Sequence, residues 1–139
     1  MNYAHTITVS LSYDEAVTKV RQELANQGFG VLTEIDVYAT FETKLGSESA
    51  QKLGDYLILG ACNPVLAEQA LTADPDMGLL LPCNVVIRRG RVANSTTVQA
   101  INPQTMVQLS DSSAIQSVAD RVDAHLLAAL TAIEGAIIT

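Results

Sequence analysis

Aromatic side chains are scarce in this chain of 139 residues. They make up 4% of it, and tryptophan is absent. Aliphatic residues and alanine must therefore fill any core. Positive charge is scarce too: eight Lys and Arg stand against fifteen Asp and Glu, a net charge of -7 with a pI near 4.6. Nucleic-acid binding needs cations to neutralise phosphates, and an anionic membrane surface attracts the same groups. Neither partner is expected. No apolar run approaches the ~20 residues of a membrane span. The start, Met1-Asn-Tyr-Ala-His5-Thr-Ile7, has neither the basic residues nor the apolar stretch of an export signal. The expected setting is the cytoplasm, where thiols stay reduced, so Cys62 and Cys83 are read as thiols and not as a disulfide. Linkers, low-complexity tracts and solenoid repeats are also missing, which leaves one domain spanning 1–139.

What the chain has in quantity is aliphatic residue. Hydrophobic residues reach 48% while charged residues stop at 17%, below the usual ~25%. That is apolar for a soluble domain. Self-association would hide further surface, and dimers are the commonest oligomers, so a homodimer is expected.

The apolar spacing lays out the elements in order. His5 to Leu11 alternates in part and reads as a strand. Ser12-Tyr-Asp-Glu15 is a capping box for a helix that presents Tyr13, Ala16, Val17, Val20 and Leu24 on one face and ends at Gly28. Phe29 to Val37 reads as a second strand, and Tyr38 to Leu45 as a short helix closed by Gly46. Ser47-Glu-Ser49 reads as a polar loop. Tyr56-Leu-Ile-Leu59 is continuously apolar, as a strand covered on both faces would be. Asn63-Pro64 starts a helix with a capping residue and a first-turn proline, and its inner face is Leu66, Ala67, Ala70 and Leu71. Cys83 to Arg88 is a strand that turns at Arg89-Gly90 into a partner, Arg91 to Ile101. Asn102-Pro103 opens a short helix. Ser113-Ala-Ile-Gln116 then caps a long one, with a stripe of Ile115, Val118, Val122, Leu126, Ala129 and Ile133. The fold class is α+β: a curved, mostly antiparallel sheet of four to five strands with helices on one face, including a long C-terminal helix.

The residues that could carry chemistry cluster in two similar turns, Leu59-Gly-Ala-Cys62-Asn63-Pro64 and Leu80-Leu-Pro-Cys83-Asn84. Cys62 lies just before a helix N-terminus, where unpaired N–H groups favour an anion and lower a thiol's pKa. It is either a reactive thiol or a small buried hydrophobe. Cys83 begins a strand. The two thiols meet if their strands are neighbours. Asn63 reads as a helix cap. Asn84 falls on the opposite strand face from Cys83, where it bonds a turn backbone or points at a ligand. His125 stands at the edge of the apolar stripe, as a proton carrier or a satisfied boundary residue. His5 reads as exposed. Arg88, Arg89 and Arg91 cluster on the hairpin, as a solvated tip or as a binder of an anionic group. Two cysteines with His5 and His125 far off in sequence do not make up a zinc ligand set. No metal and no cofactor are expected, and no nucleophile elbow, phosphate loop or His-Glu-x-x-His pair occurs.

Gly28-Phe-Gly-Val-Leu32, Tyr56-Leu-Ile-Leu-Gly-Ala-Cys-Asn-Pro64 and Gly78-Leu-Leu-Leu-Pro-Cys-Asn-Val85 resemble the prokaryotic family catalogued as domain of unknown function 302. The resemblance covers nearly the whole chain. It implies an α+β fold with a helix-covered sheet and dimers, and it brings no catalytic residues. The hairpin Arg88-Arg-Gly-Arg91 departs from it, being more basic than the acidic turn the family leads one to expect.

Three readings of function stand open. One is a homodimeric module that binds a small ligand between the sheet and the long helix, with Cys62, Asn63, Cys83, Asn84 and His125 at the site. Another is a thiol-based redox or sulfur-handling protein using Cys62 with Cys83. The third is a structural or interaction protein with inert cysteines. Whether the chain is an enzyme is left open by all three.

Overall fold

The structure, a computed structural model, describes residues 2–135. Its elements follow in order: β1 (Ala4–Val9), α1 (Tyr13–Asn26), β2 (Gly30–Asp36), α2 (Val37–Leu45), α3 (Ser47–Leu53), β3 (Asp55–Cys62) and α4 (Pro64–Ala73). A 3₁₀ turn (Pro75–Leu80), β4 (Cys83–Arg89), β5 (Thr96–Ile101), α5 (Gln104–Leu109) and α6 (Ser113–Gly135) complete the chain. Among the described residues, no helix is long and apolar enough to cross a membrane.

Local chemistry explains most boundaries. At the start of α1, Ser12 Oγ accepts the Glu15 N–H at 3.2 Å, and Glu15 Oε1 accepts the Ser12 N–H at 3.1 Å. This reciprocal pair satisfies two donors that a helix start leaves bare. At its other end Gly28 takes φ +85, a left-handed turn that a side chain resists, and the Phe29 N–H reaches back to the Leu24 carbonyl at 2.9 Å. Asn63 caps α4 by accepting the Leu66 N–H at 3.2 Å, with Pro64 in the first turn.

The five strands form one sheet in the order β1-β5-β4-β3-β2, with every neighbouring pair antiparallel. This is the expected α+β sheet. Alternation along the strands gives it two unlike faces. Val9, Val98, Ala100, Val85, Ile87, Leu57 and Leu59 are buried on one side. There they join Ala16, Val20 and Leu24 of α1, Leu66 and Ala70 of α4, and Met106 of α5. The stripe of α6 completes this core with Ile115, Val118, Val122, Leu126, Ala129 and Ile133. The helices α2 and α3 pack on each other, α2 also packs against β3, and none of their side chains belongs to that core.

Several expected boundaries need correction. Ser47-Glu-Ser49 is the first turn of α3 and not a loop. Strand β5 begins at Thr96 and not at Arg91, so the hairpin loop spans 90–95. The Gln116 amide donates to Gln104 Oε1 and Asp120 Oδ1, and Ser113 already lies within α6, so the expected capping box is absent there. Leu71 is 40% exposed and does not belong to the inner face of α4.

Candidate functional site

The two cysteine turns end up side by side. Strands β3 and β4 are neighbours, and Ala61 is the residue opposite Cys83. Cys62 is therefore offset from Cys83 by one position. Both are free thiols, Cys62 half-buried and Cys83 buried. Burial, with the neighbouring Cys62 thiol second, pushes the Cys83 thiol up to about 11. A thiol raised that far stays protonated at neutral pH, so it is a poor nucleophile and a poor metal ligand. Residues of both turns border an apolar recess with Phe29, Leu66, Met106 and Val122, and its volume is about 20 Å³. That is room for a single water molecule, given the ≳ 10–15 Å³ one needs.

The remaining predicted residues take separate places. Asn63 is a helix cap, and its amide nitrogen stands 3.2 Å from where a Cβ at Gly28 would lie. Gly28 thus serves both as a turn and as a close approach. His125 Nδ1 pairs with Gln27 Oε1 at 3.1 Å, and its ring meets the edge of Phe29. It is a satisfied boundary residue that ties α6 to the end of α1. His5 corrects the expectation of exposure: its Nε2 lies 2.7 Å from Asp123 Oδ1, with only 21% of its side chain exposed. That contact joins β1 to α6 across 118 positions of chain. Among the described residues, no group of three or more His, Cys, Asp and Glu could hold a metal ion.

Asn84 is different, because it points away from all of this. Its strand neighbours Cys83 and Val85 enter the core, and Asn84 stands on the other face of the sheet. Register places Thr6, Thr8, Thr97, Gln99, Ile101, Val86, Arg88, Tyr56 and Ile58 on that same face, all half-buried or exposed. The face has an apolar middle of Tyr56, Ile58, Val86 and Ile101 within a surround of hydrogen-bonding groups that are neutral except for Arg88. A polar row crosses it: Arg88 Nε donates to Gln99 Oε1 at 3.2 Å, and the Gln99 amide donates to Thr6 Oγ1 at 3.1 Å. A hollow of about 260 Å³ opens here, bordered by Tyr3, Tyr56, Asn84, Val86, Gln99 and Ile101.

Charge separates this face from the rest of the molecule. The strand carboxylates Glu34, Asp36 and Asp55 all alternate to the helix side, and Glu34 there meets Arg21 of α1 at 2.6 Å. Among the described residues, the strands therefore carry no carboxylate on the open face, and Arg88 is their one charge there. The carboxylates instead crowd the edge near Tyr13. Burial, then Asp36, Asp55, Asp14 and Glu34, raise the Tyr13 phenol to about 12. Burial, then Asp14 and Asp36, raise the Asp55 carboxyl, while Arg89 pulls it back.

Comparison with known proteins agrees with this architecture. The model of a family described as a domain of unknown function, DUF302, matches residues 5–133. Among solved structures, the crystal structure of an uncharacterized conserved protein DUF302 from Bacillus stearothermophilus is similar to this chain. The two share 23% identity with a TM-score of 0.84, over 96% of this chain and 99% of that one. That likeness shows the fold. Among curated proteins none matches the chain.

Proposed function

This chain belongs to the DUF302 family, and from that premise we propose that it is a homodimeric binding module whose working surface is the open face of the sheet. The observation that carries this reading is the mismatch between that face and its surroundings. Tyr56-Leu-Ile-Leu59 is apolar on both sides of β3, yet the core helices cover only the side of Leu57 and Leu59. A strand with this composition is suited to a sheet covered on both faces. The missing cover is a second copy of the chain. An isologous interface sets the same patch against itself, so a face bearing carboxylates would repel its own copy. This face bears none. Two sheets stacked about 10 Å apart, as in a sandwich, would bring the apolar middles together.

The hollow beside Asn84 lies within this face, so a partner copy roofs it. Its aromatic rings and side-chain amides suit a small uncharged ligand. The recess at the cysteines has room for one water and does not favour a ligand there. The high pKa of Cys83 also weighs against its acting as a resolving thiol.

Sedimentation equilibrium on the wild type and on Val86→Glu tests the reading. The wild type is expected to run at the mass of two chains, and Val86→Glu at the 14.8 kDa of one, with unchanged far-ultraviolet circular dichroism. Thr97→Glu, on the polar surround, provides a second variant should Val86→Glu fail to fold. A wild type at single-chain mass across the concentration range would refute the proposal.

A further inference from the structure

A second, larger hollow lies off both faces, where the turn after β4 meets the start of β3. Its volume is about 350 Å³, and its walls include Tyr38, Gln51, Gly54, Asp55, Arg89 and Arg91. This falls in the range of small-molecule clefts, ~300–1,000 Å³. It is formed by a close backbone contact. Gly54 has φ +81, and a Cβ there would come within 2.6 Å of the Arg89 carbonyl oxygen and 3.0 Å of Gly90 Cα. Only glycine lets the α3–β3 junction seat against the hairpin this closely.

Arg89 is held from one side. Its Nη1 donates to Thr96 Oγ1 at 3.0 Å and to the Leu11 carbonyl at 3.3 Å, and Thr96 Oγ1 itself donates to Leu11 at 2.8 Å. Thr96 is fully buried, which anchors the arrangement. The other two guanidinium nitrogens, Nε and Nη2, have no hydrogen-bond partner among the described residues. Arg91, two residues on, has neither a hydrogen bond nor an ion pair there. Among the described residues, Asp55 is the one carboxylate bordering the hollow, and it forms no ion pair with either arginine. Burial and the carboxylates of Asp14 and Asp36 raise its pKa, and Arg89 lowers it. In a chain of net charge -7, two arginines with free donors border this one hollow.

We infer that this hollow is a binding site for a small molecule bearing a phosphate or carboxylate group, gripped by the free side of the Arg89 fork and by Arg91. A guanidinium presents paired N–H groups that match the oxygens of such an anion. Fixing Arg89 in advance through Leu11 and Thr96 lowers the ordering cost of that grip. The site does not depend on self-association and stands or falls apart from it.

Titration of the labelled protein with inorganic phosphate and, separately, with acetate at neutral pH and low salt, read by amide chemical shifts, tests the inference. Saturable shifts centred on Gly54, Gly90 and Arg91 are expected with at least one of the two, and the one that saturates identifies the anionic group. Arg91→Ala should weaken that binding at least tenfold, while Arg121→Ala, on α6, should leave it unchanged. Shifts that never saturate, shifts spread over all basic residues, or equal losses in the two variants would overturn it.

Discussion

The two faces of the sheet are built from the same strands and have opposite fates. On the helix side Leu59, Val85, Ile87 and Val98 lose essentially all contact with solvent. Their immediate neighbours Ile58, Asn84, Val86, Arg88 and Gln99 stay half-buried or exposed. The closed face has used its apolar surface to hold one chain together, and the recess at its cysteines is about 20 Å³. The open face has kept apolar surface at Tyr56, Ile58 and Val86 that the chain's own core does not use, while Ile101 packs against that core. The difference teaches where to look for function: the cysteines that stand out in the sequence belong to the finished side, and the residue among them that leaves it is Asn84.

The sharpest way to break this comparison uses adjacent residues of β3. Leu59→Ala cuts a fully buried side chain and is expected to cost about 2–5 kcal/mol. Ile58→Ala removes a group of the same size from the open face. In dilute protein it should cost clearly less than Leu59→Ala, and the gap should narrow as protein concentration rises and a partner covers Ile58. Urea unfolding of both variants at two concentrations checks this. Equal costs in dilute protein would remove the distinction between the faces.

Cysteine labelling comes next. A thiol at about 11 is one part in roughly a thousand thiolate at pH 8, against about a quarter for an ordinary thiol near 8.5. Cys83 in the Cys62→Ser background should therefore alkylate at least ~100-fold slower than a free model thiol, and Cys62 in the Cys83→Ser background should be the one labelled readily, being half-buried and not closed off. Rapid labelling of Cys83 in the folded protein would reopen the thiol reading. Unfolding in urea should restore its reactivity, which separates protection by the core from damage to the protein.

The smallest expected effect is electrostatic and lies at the crowded edge. Burial and neighbouring carboxylates raise the Asp55 carboxyl, so the folded chain holds that proton more tightly than the unfolded chain does. Stability must then fall as pH rises through the carboxylate range. Asp55→Asn removes the penalty, and melting curves should show a rise of a few degrees at most at pH 7. At a pH low enough to protonate the carboxyl in both states the rise should vanish. Asp55 is mostly exposed and Arg89 opposes the shift, which keeps the effect small.

Much of the fold was legible because local rules coincide with tertiary ones. Ser12 with Glu15, Asn63 with Pro64, Gly28 and the α6 stripe each mark a boundary or a face by their own chemistry. The sequence reading failed where that chemistry was thin. In α3, Ala50 is the single buried residue of seven, so polar spacing looked like a loop. The hairpin loop hid because Arg91 to Ser95 carries no strong turn pair after Gly90. For the site, sequence favoured Cys62 and Cys83 by residue type, and Asn84 by its place opposite a core position. It could not show that Thr6, Gln99, Arg88 and Tyr56 share that face, because register between strands is a tertiary fact. The one early signal was the unbroken apolar run of β3, which called for cover on both faces. His5 was misjudged for a related reason: its partner Asp123 lies at the far end of the chain.

The central claim is that a second copy covers the open face. Mixing chains labelled on their Ile and Val methyls with unlabelled chains, and recording isotope-filtered nuclear Overhauser effects, tests it most directly. The account predicts contacts between copies from the Val86, Ile58 and Ile101 methyls and none from Val85, Ile87 or Val98. Contacts between copies arising from the α6 side instead, or none at concentrations where a mass of two chains is measured, would contradict it.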